Sequence, residues 1–161
     1  MNKLAVCGSV AVWVALAFPA RATCDKSQPD RTPTSRYVIT GATVYDKKTD
    51  LTWQRCSVGQ KWKDGIGCVG IVQTLKSDES MGQATGNWRI PTENELYSLL
   101  ALNCKNFSIN EAVFPDTGVN YYWSSTADGS YTYMLEFRNG NANFFTTALS
   151  AGSLRLVRTG Q

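Results

Sequence analysis

Asn87-Trp88-Arg89-Ile90-Pro91-Thr92-Glu93-Asn94-Glu95-Leu96-Tyr97-Ser98-Leu99-Leu100-Ala101 is the stretch on which the fold turns. Thr92 is a good helix N-cap. Glu95, three residues on, can reach back to the Thr92 amide and complete a capping box. Glu93 favours the positive end of the helix. Leu96, Leu99, Leu100 and Ala101 then keep the i, i+3, i+4 spacing of a helix with one buried face. The spacing predicts a helix from 92 to about 103, with Pro91 just ahead of its cap. Arg89 is placed to pair with Glu93 or Glu95, or else to be solvated.

On either side of this helix the pattern is β. Tyr37-Val38-Ile39-Thr40 reads as a short strand. Thr43-Val44-Tyr45 and Leu51-Thr52-Trp53-Gln54 alternate around a hydrophilic turn, the pattern of a β-hairpin. The run 69–75 fits a short helix or a strand equally, and 76–86 is polar and reads as loop. After the helix come four β runs, at 121–125, 131–138, 141–147 and 154–159. Asn139-Gly140 between the second and third suits a type I′ hairpin turn. In the last run Leu154 and Leu156 share one face, and Arg155 and Val157 the other. A hairpin, one or two helices and an antiparallel meander make an α+β domain.

Upstream, Lys3 precedes an almost uncharged apolar run that ends at Pro19, and Ala20-Arg21-Ala22 offers small residues at a cleavage site. Residues 1–22 are expected to be a cleaved signal peptide. Residues 23–36, with Pro29 and Pro33, read as an irregular N-terminal segment, and 37–161 as a single domain. Without Lys3 and Arg21 the net charge falls from +3 to +1. So near-neutral a charge gives no case for nucleic acid. No further apolar stretch in the mature chain reaches the roughly 18 residues of a membrane span. The chain is expected to be exported, to the periplasm or beyond.

Cys7 leaves with the leader, and Cys24, Cys56, Cys68 and Cys104 remain. An even count in an exported chain points to disulfides. Of three possible pairings, Cys56–Cys68 closes a short local loop and Cys24–Cys104 ties the N-terminal segment to the end of the helix. No Cys-x-x-Cys spacing marks a redox pair. The chain has no histidine, which removes the commonest general base and the commonest zinc ligand. No metal or other cofactor is expected. Gln28-Pro29-Asp30 has the letters of a calcium-dependent sugar motif, but it lies near the mature N-terminus, away from any late loop.

Six sequence words fall in a characteristic order: Val44-Tyr45-Asp46, Leu51 to Cys56, Asn87 to Thr92 with Glu95-Leu96, Phe114-Pro115, Tyr122-Trp123-Ser124-Ser125, and Leu154 to Arg158. In these, the chain resembles the Lcl C-terminal domain family over about residues 37–159. The resemblance implies a C-type-lectin-like fold with paired N- and C-terminal strands, in a surface or secreted binding module. It carries over no collagen-like stalk, because the chain has no Gly-X-Y repeat.

The candidate binding surface is the late meander. Tyr131, Tyr133, Arg138, Asn139, Asn141, Asn143 and Phe145 stand there among small residues. Tyrosine and asparagine make contacts at modest entropic cost, and aromatic faces stack on sugar rings. Tyr131, Tyr133 and Leu135 alternate to one face, as do Asn141, Asn143 and Phe145. The expected function is a non-enzymatic binding module for a glycan or a surface protein. The alternative is a small periplasmic inhibitor or envelope-assembly accessory docking one protein partner through Lys61, Trp62 and Lys63.

Overall fold

The computed structural model of the protein describes residues 23–106 and 108–161. The expected leader, residues 1–22, lies outside the described residues. In chain order the elements are β1 (Thr23–Cys24), β2 (Tyr37–Thr40), β3 (Thr43–Asp46), β4 (Leu51–Gln54), β5 (Gln60–Lys63), β6 (Gly67–Gly70), β7 (Leu75–Lys76), α1 (Ser77–Met81), α2 (Glu93–Tyr97), β8 (Cys104–Lys105), β9 (Tyr121–Asp128), β10 (Tyr131–Glu136), β11 (Ala142–Thr146), β12 (Ala151–Gly152) and β13 (Val157–Thr159). A 3-10 turn at Thr34–Arg36 leads into β2.

Two antiparallel sheets organise the molecule. One has the order β13-β4-β3-β2, the other β11-β10-β9, and three two-stranded ribbons surround them. The β3–β4 hairpin turns on Asp46. Its side chain accepts from the Lys48 amide at 3.0 Å and the Thr49 hydroxyl at 2.7 Å, so the turn is closed by its own first residue. The late strand β13 returns to β4, with Val157 opposite Trp53.

Two apolar clusters fill the interior. The larger holds Trp53, Leu96, Leu99, Phe114, Tyr122, Leu135, Phe137 and Val157. The smaller holds Leu75, Trp123, Met134, Leu154 and Leu156. Alternation explains the division. Tyr122 and Trp123 are neighbours in β9 and so face opposite ways, as do Met134 and Leu135 in β10. The expected split of the last run holds too, with Leu154 and Leu156 in one cluster and Val157 in the other. Arg155, on the Val157 side, is wholly buried.

Both expected disulfides are present, Cys24–Cys104 and Cys56–Cys68. The first joins directly opposed residues of β1 and β8.

Four details differ from the sequence-based expectations. The capping box forms, with Glu95 N donating to Thr92 Oγ1 and Thr92 N to Glu95 Oε2, but α2 has five residues and does not run to 103. From Ser98 the chain tightens: Leu99 N and Leu100 N donate three residues back, and Leu100 then bridges to Ile109. The leucines stay buried because tertiary backbone partners replace the next helical turn. Second, the polar run 76–86 contains the helix α1, held by a Lys76 N to Glu79 Oε2 bond of 2.8 Å. Third, the undecided run 69–75 is strand at its two ends, in β6 and β7, and irregular between them. Fourth, Asn139-Gly140 is not a type I′ turn. Gly140 has a φ of +68° but Asn139 does not have a positive φ. The loop spans four residues and is closed by Glu136 N donating to Asn141 O at 2.7 Å. Phe137 causes this: its ring is buried against Tyr122 and its carbonyl accepts from Ser108 N.

Candidate functional site

The β9–β10–β11 sheet carries every residue of the expected meander surface except the loop residues Arg138, Asn139 and Asn141, and its register decides which can act together. Tyr131 pairs with Thr146 and Tyr133 with Phe144, whereas Met134 pairs with Asn143. Paired residues share a face. Tyr131, Tyr133 and Phe144 therefore lie on one face, and Asn143 and Phe145 on the other. The expected residues form two surfaces, not one platform.

On the first face Tyr131 is 52% exposed and Phe144 53% exposed. Between them Tyr133 is buried, edge-on to Phe144 with ring centroids 5.4 Å apart. Helix α2 packs beside this row. Burial raises the Tyr133 pKa first, and the nearby Glu93 carboxylate and Tyr97 raise it further. Tyr97 is itself half-exposed. The result is a row of open rings seated on rigid secondary structure. Phe144 and Tyr97 were not among the sequence candidates. Alternation could have found Phe144, because Asn143 and Phe144 cannot share a face. Nothing local flagged Tyr97.

On the second face Phe145 is half-buried against Tyr121, with centroids 4.7 Å apart. Asn143 is exposed, as are Arg138, Asn139 and Asn141 around the end of the sheet. The four cysteines serve as bridges.

The second face also floors a cleft of about 820 Å³, within the size range of small-molecule sites. One wall is α1. The other is the outer half of the β9–β10 hairpin with Thr147 and Ala148. A β-bulge interrupts this hairpin between Thr132 and Met134, where Ser124, Ser125 and Thr126 of β9 stand against Tyr133 alone. Ser124 stabilises the bulge: its hydroxyl donates to Tyr133 O at 2.7 Å and accepts from Thr126 N at 3.1 Å.

Ion pairs brace the ground beneath these surfaces. Arg89 donates to both carboxylate oxygens of Glu95, at 2.6 and 2.7 Å, and so links the entry of α2 to its first turn. Of the two partners the sequence offered, Glu95 is the one used. Arg36 holds Asp46 in a buried pair and also donates to Ser98 O at 3.0 Å, which ties the β3–β4 turn to the end of α2.

Among the described residues no three His, Cys, Asp or Glu side chains converge on a metal position, and no helix is long and apolar enough to cross a membrane. A family model, the Lcl C-terminal domain, matches residues 42–158. No curated protein and no solved structure gives a match.

Proposed function

Because the chain belongs to the Lcl C-terminal domain family, we propose that it is an exported, non-enzymatic binding module with a C-type-lectin-like fold that recognises a glycan or a surface protein. The observation that carries this is the pair of half-exposed rings, Tyr131 and Phe144, standing on a sheet face whose centre is fixed by buried Tyr133. Rings held this way offer flat apolar contact with little conformational entropy left to lose. The two disulfides fit a domain that works in an oxidising compartment, periplasmic or secreted. A glycan array probed with the oxidised protein and with the Tyr131→Ala/Phe144→Ala double variant tests it. Signal lost in the variant, with its near-UV circular dichroism intact, supports recognition by this face. Equal signal from both proteins removes this face as the site.

The alternative is docking to one envelope protein through the β5–β6 hairpin. It is favoured by Ile66 and Ile71, exposed at 64% and 85%, beside exposed Lys61 and Lys63. Trp62 is not the free probe there. Its ring lies 4.0 Å from the Arg55 guanidinium and its indole N–H donates to Asp64, so it anchors the hairpin. A single stoichiometric partner that is lost on Ile71→Asp would select this reading.

A further inference from the structure

The cleft under α1 lies on the opposite side of the meander from the open rings, and its chemistry is different. We infer that it is a separate binding site for a neutral saccharide of two or three units. This goes beyond the ring-face reading and stands on separate observations.

Charge excludes ionic ligands first. Among the described residues two charged side chains line the cleft, Lys76 and Asp78, of opposite sign and two apart in sequence. A cation gains the carboxylate and meets the ammonium, and an anion does the reverse, so neither has a net advantage. Hydroxyls dominate the rest of the polar lining. Ser77 and Ser130 have no bonded partner for their hydroxyls among the described residues, and Thr132 and Thr147 share one bond of 2.8 Å that leaves further capacity on each. A hydroxyl both donates and accepts, so a hydroxyl-lined wall matches a ligand whose own groups are hydroxyls. Asp78 is exposed, and its carboxylate has no hydrogen-bond partner among the described residues. It can accept from two neighbouring sugar hydroxyls in charge-assisted bonds. Met81 and Ile90 supply apolar surface for the C–H face of a sugar ring.

A peptide fits less well. An extended peptide needs free backbone groups along a sheet edge. Along this edge of β9 the Trp123 N–H already donates to Ser153 O at 2.9 Å, and the Ser125 N–H to Pro91 O at 2.7 Å. Trp123 and Ser125 both line the cleft, so the edge is taken there.

The test is amide-resolved NMR of the oxidised protein titrated with maltotriose, cellotriose and triacetylchitotriose, with an uncharged capped tripeptide alongside. At least one saccharide is expected to shift amides of residues 77–81 and 124–132. Asp78→Asn is expected to weaken that binding about tenfold, the loss of a charge-assisted pair. Ala127→Trp and Ser130→Trp, both at exposed positions, fill the cleft without touching the core and are expected to abolish it. Tyr131→Ala is expected to leave it unchanged. The inference is overturned if none of the three saccharides moves those amides, if binding survives both tryptophan variants, or if only the tripeptide binds. A glycan bound through Tyr131 and Phe144 with the cleft amides silent would overturn this site and leave the recognition reading standing.

Discussion

The guanidinium of Arg155 donates to the backbone carbonyl of Arg55, so one buried cation is held by the main chain of another. Arg155 also donates to Gln54 O at 3.0 Å, Thr117 Oγ1 at 2.9 Å and Ser57 Oγ at 3.2 Å, and it lies over the rings of Phe114 and Tyr122. Arg55 in turn donates to Val113 O, Gly41 O and Ala112 O. Neither makes an ion pair with a carboxylate among the described residues. Carbonyls and hydroxyls do the solvating, and burial lowers the Arg155 pKa without discharging it. The fork geometry is what reaches so many acceptors at once. Arg155→Lys and Arg155→Met should each lose about 2–4 kcal/mol, since both orphan several buried acceptors. Urea unfolding measures this, and a loss below about 0.5 kcal/mol would show the network to be dispensable.

Asp46 should contribute to the acid limit. Burial is the largest influence on its carboxyl and pushes the pKa up, but the bonds from Arg36, Thr49 and the Lys48 amide together outweigh it and leave the group below its ordinary 3.8. A folded pKa below the unfolded one means the stabilisation is in force above about pH 4 and fades as the pH falls below that. Asp46→Asn should cost about 3–5 kcal/mol near neutral pH, because Arg36 is left buried without its partner. It should also flatten the acid limb of a stability-against-pH curve. An unchanged limb would assign acid unfolding to other carboxylates.

Gly59 is fixed by space as well as by angle. Its φ is +95°, and a Cβ there would stand 2.4 Å from Ile71 O and 2.8 Å from Gln73 N. Both are backbone atoms and cannot rotate away. Gly59→Ala should therefore destabilise by at least about 2 kcal/mol, from strain plus overpacking. Gly41→Ala also carries a positive φ but has nothing within 4 Å, so it should cost about 1 kcal/mol. Thermal melts of the pair separate the two contributions.

The two disulfides should differ in what they contribute. Cys56 and Cys68 are 12 apart in sequence, Cys24 and Cys104 80 apart. On chain-entropy grounds the first is worth about 3 kcal/mol and the second about 4.5 kcal/mol. Paired Cys→Ser variants in guanidinium should follow that order. The reverse order would mean the unfolded chain keeps the β1–β8 contact without its bridge.

What the sequence disclosed was whatever is settled within a few residues. The Thr92–Glu95 box, the turn after β3 and the facing of Leu154 and Leu156 are all local and formed as expected, although the strand expected over 154–159 begins only at Val157. The helix length was not legible, because Leu100 leaves the helix for Ile109, and no local signal encodes that pairing. The Asn139-Gly140 turn failed for the same kind of reason. Burial of Phe137 lengthened the loop and slid the register of β10 against β11 by two residues. An even slip returns every side chain to its own face, so the facing of Tyr131 and Tyr133 survived an incorrect turn. Of the candidate surface, the ring-bearing strands were readable. The cleft was not, because it is assembled from α1, Ile90, a bulge and Thr147, and its α1 wall had read as featureless loop.

The pairing of β13 with β4 has a bearing on how the molecule is made. Trp53 cannot be covered by Val157 until a hundred intervening residues have been synthesised, so nothing early in the chain can close the sheet by itself. Contacts of such long sequence range slow folding. A polypeptide wired in this order stays threadable while it is still emerging, which suits passage through a narrow membrane channel. In the exported module proposed above, the native shape and the sulfur cross-links would then form together on the far side.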